Sequence, residues 1–157
     1  MFEKTCTHES SGVTIKGRWR AELKDEHGNY KDHVEGDNLV VTNGKEFLAT
    51  YLASAAASAT AFDMKYIAIG TDATAAAIGN TALGTEASRD TGTASYTSGA
   101  IYEVVADFAA GEGTGAIVEY GLFSANSGGT MLSRDIEAVI NKGASDTLTV
   151  TAQVTIG

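Results

Sequence analysis

The chain has no proline, one cysteine and no long apolar run, and its bases are outnumbered by its acids, 11 to 20. Each shortage excludes something. Proline removes a ladder donor and interrupts central strands. At an ordinary usage of about 5% several would be expected, so their absence suits a chain that is mostly strand. A single thiol, Cys6, makes no internal disulfide and builds no zinc cluster. The fold therefore does not rely on an oxidising compartment. The first residues, MFEKTCTHESSG, lack the apolar core of a signal peptide. No apolar stretch approaches the ~20 residues of a membrane-spanning helix. The expectation is a protein made and folded in the cytoplasm, with no membrane partner.

The formal charge of -9 argues against nucleic acid as the main partner, because duplex affinity comes largely from clustered Lys and Arg. An acidic surface favours solubility and suits a basic neighbour. At 157 residues with 43% apolar content, the chain fits one domain. Such a domain hides roughly 70% of its extended surface without staples. Residues 1–11 show no period and are expected to form an extended arm, with residues 12–157 as a single domain.

Strand-like alternation dominates what remains. From Val13 to Leu23, Val13, Ile15, Gly17, Trp19, Ala21 and Leu23 share one face. The opposite face carries Lys16, Arg18, Arg20 and Lys24, the densest basic stripe in the chain. Asp25 to Asn29 reads as a hairpin turn, followed by a strand over Tyr30–Val41 with a break expected at Gly36-Asp37. Thr42 or Asn43 can cap a helix over about residues 43–56, with Glu46 three residues after Asn43 and apolar residues at helical spacing. Strands are expected over Lys65–Gly70, Ala87–Tyr96 (a polar edge), Ile101–Phe108 and Ile117–Ser124. Met131–Ile140 reads as a short strand or irregular crossing, and the last strand alternates from Thr147 to Ile156. Thr71–Gly84 reads as a long low-complexity loop. About eight strands with one helix predict an all-β fold, an antiparallel β-sandwich of jelly-roll type.

Reactive chemistry is not legible. Residues Gly111 to Ala116 match the letters of a dinucleotide loop, but a strand follows where a helix N-terminus is required. No nucleophile elbow or Walker-type loop occurs. His8, His27 and His33 have no obvious nucleophile near them in sequence. Cys6 with His8, or His27 with Asp25 and Asp32, lack recognised metal spacing. Trp19 and Tyr120, the aromatics a glycan site would need, fall on apolar faces. The expectation is a non-catalytic module with no cofactor or metal. The basic stripe reads as a solvated or cross-strand-paired face, or as a docking stripe for an acidic neighbour.

Five blocks, in order, carry a resemblance. Asn38 to Leu48 (NLVVTNGKEFL) resembles a recurrent opening in bacteriophage virion proteins, in which a strand ends and a helix begins. Tyr66 to Thr71 (YIAIGT), Thr81 to Arg89 (TALGTEASR), Ile117 to Phe123 (IVEYGLF) and Gly128 to Arg134 (GGTMLSR) are similar to further segments of the same proteins, and Thr147 to Thr151 fits as well. The resemblance is to phage structural proteins, including capsid decoration (cement) proteins and tail-, baseplate- or fibre-associated proteins. It implies a virion β-sandwich that forms a homo-oligomer, a trimer being the expected number, and that docks on the major capsid protein or, alternatively, on tail or baseplate proteins. Within it, Glu119 with Arg134 and Glu86 with Arg89 are expected to form structural pairs, and Gly44 and Gly70 to permit close backbone approach. Lys4, Thr5 and His8 in the arm join the basic stripe as docking candidates.

Overall fold

The computed structural model describes residues 14–53, 64–97 and 100–157. The arm, with Lys4, Thr5, Cys6 and His8, lies outside the described residues, as do the expected last helical residues 54–56. The fold is all-β and antiparallel with one short helix. Its strands are β1 (Ile15–Lys24), β2 (Tyr30–Val40), β3 (Tyr66–Gly70), β4 (Glu86–Thr91), β5 (Thr93–Thr97), β6 (Ile101–Phe108), β7 (Gly115–Phe123), β8 (Met131–Lys142) and β9 (Thr147–Ile156). Helix α1 spans Thr42–Ala53, between β2 and β3.

The strands form one sheet in the order β4-β3-β7-β8-β2-β1-β9-β6-β5. It curls until its two halves face each other, so the expected stacked sheets are parts of one nearly closed barrel. Strand β2 joins the halves. It pairs along most of its length with β1, but only Leu39 and Val40 pair with β8. At the other side, β4 and β5 are the two ends of the sheet yet follow each other in sequence. Gly92 turns that corner, and a side chain there would press on Val104 and the Val105 carbonyl. The expected single edge strand over 87–96 is therefore two strands on opposite halves. Such sheet-switching corners are where glycine is needed.

Alternation is cleanest in β1, β9 and β6. Trp19, Ala21, Leu23, Val104, Ala106, Phe108, Leu148, Val150, Ala152 and Val154 all point inward and are buried. Ile156, at the end of β9, is 45% exposed rather than inward. Across the core, Trp19 packs on Tyr120 with ring centroids 5.9 Å apart. A buried side chain of this class contributes about 2–3 kcal/mol by its removal from water. β2 runs through Gly36 without a break, and β8 is a full twelve-residue strand. Its pattern hid it, because Ser133, Arg134 and Asp135 are buried polar residues and two register shifts interrupt its pairing with β7.

The other half, β3, β7 and β8, has apolar residues on both faces. Ile67, Ile69, Ile117, Tyr120 and Leu122 face the main core. Val41, Ala68, Leu83, Phe123 and Met131 form a second cluster on the outside. The 71–85 loop contributes Leu83 to that outer cover. α1 lies against β8 so closely that a Cβ on Gly44 would run into the Leu132 carbonyl. The helix starts at Thr42, one residue before the expected boundary. Thr42 N donates to the Ile78 carbonyl of the loop at 2.9 Å, so a tertiary contact satisfies one of the donors a helix start leaves open.

Candidate functional site

Two surfaces hold the residues singled out by sequence. The first is the covered face of β7 and β8. Glu119 and Arg134 are both buried, and Arg134 Nη2 lies 2.9 Å from Glu119 Oε2 with Nε at 3.2 Å. The carboxylate also accepts backbone N–H bonds from Thr85 at 2.7 Å, Gly84 at 2.9 Å and Asp72 at 3.2 Å. The guanidinium donates through Nη1 to Asn80 Oδ1 at 3.2 Å, and Asp72 lies 3.7 Å from its Nη2. Hydrogen bonds from Thr74, aided by Arg134, hold the Asp72 carboxyl below the usual aspartate range. Both ends of the 71–85 loop are thus tied to one ion pair. The close approach needs Gly70, where a Cβ would overlap the Glu119 carboxylate.

Glu86 and Arg89 form a second clamp. Arg89 makes a two-pronged contact with Glu86, at 2.7 and 3.0 Å. Its Nη1 donates to the Ala125 and Gly128 carbonyls, both at 2.8 Å, and its Cζ lies over the Phe123 ring, 3.7 Å from the centroid. That holds the 124–130 turn against β4. A third clamp was not foreseen. Lys142 is buried and donates from Nζ to the Ala109 and Asp146 carbonyls at 2.9 and 2.8 Å. Burial pushes its pKa down. Asp146 in turn accepts from Lys31 Nζ at 2.6 Å and from Gly143 N at 2.8 Å, and the Lys31 bond is the main cause holding its carboxyl low. Its only sequence signal was a lysine two residues after Ile140, on the same face of the strand.

The second surface is the outer face of β2, β1, β9, β6 and β5. Lys16, Arg18, Arg20 and Lys24 stand on it, flanked by Thr149, Thr151, Gln153 and Thr155 of β9. The bases are interleaved with acids: Arg18 to Glu35 at 2.9 Å, Arg20 to Glu22 at 3.1 Å and Lys24 to Glu22 at 3.4 Å. Arg18, Arg20, Glu35, Glu103, Thr151 and Gln153 ring a shallow polar depression of 390 Å³. No described loop packs over this face in the way that 71–85 covers β7 and β8. Exposed pairs of this kind are worth roughly 0–1 kcal/mol each and are easily exchanged for a partner's groups.

Comparison with known proteins finds no matching family model, no similar curated protein and no similar solved structure.

The remaining sequence candidates go to local structure. Asp25 accepts from His27 N, Asn29 N and Asn29 Nδ2 at 2.8–3.0 Å, which shapes the β1–β2 turn and lowers its carboxyl pKa. His33 Nδ1 lies 2.7 Å from the Tyr30 hydroxyl. Among the described residues, no three His, Cys, Asp or Glu side chains converge as a metal group, and no helix is long and apolar enough to cross a membrane. The Gly111–Gly115 segment is a turn leading into β7, with the Glu112 carboxylate accepting from Ala109 N at 2.7 Å.

Proposed function

We propose that the protein is a structural module of a bacteriophage virion, a capsid decoration protein that lies on the outer shell and bridges neighbouring copies of the major capsid protein, without catalysis. The reading rests on the resemblance of the five sequence blocks and on one structural contrast. Polar side chains of those blocks on β4, β7 and β8 are spent fastening loops, whereas the five-stranded outer face around β1 is polar and uncovered by any described loop. On that face, Lys16, Arg18, Arg20 and Lys24 alternate with acids and threonines over the length of a strand. It suits lateral contact with a broad protein surface better than enclosure of a small molecule. Modest contacts repeated over a shell lattice, and multiplied by a homotrimer, give firm attachment through avidity. The net negative charge keeps the free protein soluble.

Purified empty shells lacking the protein, incubated with it, test this. Saturable binding at on the order of hundreds of copies per particle is the expected result of lattice-wide attachment. Binding confined to tails, at a few to a few dozen copies, would replace the reading with the tail, baseplate or fibre alternative. Binding to neither particle part would remove both.

A further inference from the structure

β9 runs down the middle of the uncovered face, with β1 on one side and β6 on the other. Its outward Thr149 and Thr151 are shorter than the Arg, Lys and Glu side chains beside them, so β9 is the floor of a trough. Two adjoining depressions of 390 and 220 Å³ share Arg20 and Thr151 and follow this floor from Gln153 to Thr149. The walls differ in charge. Lys16, Arg18, Arg20 and Lys24 line the β1 side, with Glu22 among them. Val104 and Ala106 are buried, so alternation along β6 turns Glu103, Val105 and Asp107 outward, and β6 contains no base.

The register fixes what stands level across the three strands. Arg18, Gln153 and Glu103 form one row, Arg20, Thr151 and Val105 the next, and Glu22, Thr149 and Asp107 a third. Glu103 and Asp107 each accept a bond from β9, from Gln153 at 2.7 Å and from Thr149 at 2.6 Å. Arg18 and Arg20 sit in exposed pairs with Glu35 and Glu22, which a competing acid replaces at little cost.

The segment that fits this trough is the beginning of the chain itself. Residues 1–13 precede Thr14, which pairs with Gly157 at the end of β9, so they start beside one end of the floor. In an extended strand Glu3, Thr5, Thr7 and Glu9 share one side and Lys4, Cys6 and His8 the other. Acids are thus sorted from bases, as on the two walls. Lys4 and His8 are four residues apart, and so are Glu103 and Asp107. Laid antiparallel to β1 with His8 level with Glu103, the segment brings Lys4 level with Asp107 and Cys6 level with Val105. Glu9 then falls between Lys16 and Arg18, and Glu3 beside Lys24. Ser10-Ser11-Gly12 has turn chemistry, and residues 10–13 span up to about 14 Å, enough to reverse the chain and step the roughly 5 Å from β1 to β9.

We propose that residues 3–9 lie in this trough of their own chain, with Glu3 and Glu9 against β1 and Lys4 and His8 against β6. The arm is then an intramolecular cover that any partner of the β1 face has to displace. The inference goes beyond the shell reading, and it holds or fails on the free protein alone.

Cys6 is the only thiol, so its position reads the arrangement directly. In Val105→Cys, mild oxidation should join Cys6 to the new thiol within one chain. Joining should be at least about tenfold faster than in Val139→Cys, an exposed position on β8. Glu3→Lys/Glu9→Lys should slow it about fivefold or more at low salt, and adding Arg18→Glu/Arg20→Glu should restore it. If the Val105→Cys protein does not fold, a spin label on Cys6 of the unchanged chain gives a second readout, broadening amides near Thr151 and none near Val139. Equal rates at the two positions, joining only between chains, indifference to the charge swap, or a label that broadens no β9 amide would each overturn the proposal.

Discussion

The half of the sheet containing β1, β9 and β6 and the half containing β3, β7 and β8 both bury apolar side chains, but by different means. In the first, each strand turns one face inward and one outward, and its charges stay at the surface in exposed pairs. In the second, the strands are covered on both faces, and the outer cover is a loop with no regular structure of its own. Such a loop carries backbone donors that strands would satisfy for each other. Glu119 and Arg134 substitute for that missing ladder, accepting three backbone N–H groups and donating to loop oxygens. A buried ion pair is weak as a source of stability. Here it acts as a template for a segment that its own sequence does not shape.

If this difference is real, the halves should respond oppositely to mutation. Arg134→Ala should have the largest effect, about 3–5 kcal/mol in urea unfolding, because it strands the Glu119 charge in the interior. Replacing both partners by Leu and Met restores stability in an ordinary buried pair. Here it should not, since the N–H groups of Asp72, Gly84 and Thr85 would stay unpaired. A fully stable double variant would show the pair to be dispensable and the comparison mistaken. Arg89→Lys comes next, at about 2 kcal/mol, because an ammonium cannot reproduce the two-pronged contact with Glu86, the two carbonyl bonds and the stacking on Phe123 at once. In the regular half, Trp19→Phe should cost only about 1 kcal/mol. The lost volume is offset by removal of an indole N–H that has no acceptor. Thermal unfolding of the three variants side by side gives the ranking.

Legibility in the sequence follows the same division. β1 and β9 were readable because one face is wet and one dry, which is the condition for period-two alternation. β8 was readable only as a short strand or irregular crossing, because Ser133, Arg134, Asp135 and Lys142 are polar residues at buried positions and break the apolar alternation. The pairing of Glu119 with Arg134 was readable as two charges interrupting apolar strands. Its role in organising the 71–85 loop was not, since the bonds go to backbone groups that any sequence carries. The corner at Gly92 escaped for a similar reason: a sheet switch leaves the strand pattern intact on both sides. The helix start was misplaced by one residue because a loop carbonyl, not a Thr or Asn side chain, caps it.

The basic stripe sharpens the contrast at the smallest energy. Arg18 and Arg20 are more than half exposed, and their partners Glu35 and Glu22 are held across open solvent. Truncating both to alanine should therefore change unfolding free energy by less than about 0.5 kcal/mol each. A fold-supporting role would show as a larger loss, and would place these residues with Arg134 and Arg89 instead. A docking role predicts a different signature. Stability stays constant while attachment to shells weakens and becomes less sensitive to salt, because rim charges act mainly on encounter and on screened attraction. Measuring unfolding and shell binding on the same Arg18→Ala/Arg20→Ala protein separates the two. Unchanged attachment at every salt concentration would remove the stripe from the docking face and leave it as a cross-strand network that only solvates the sheet.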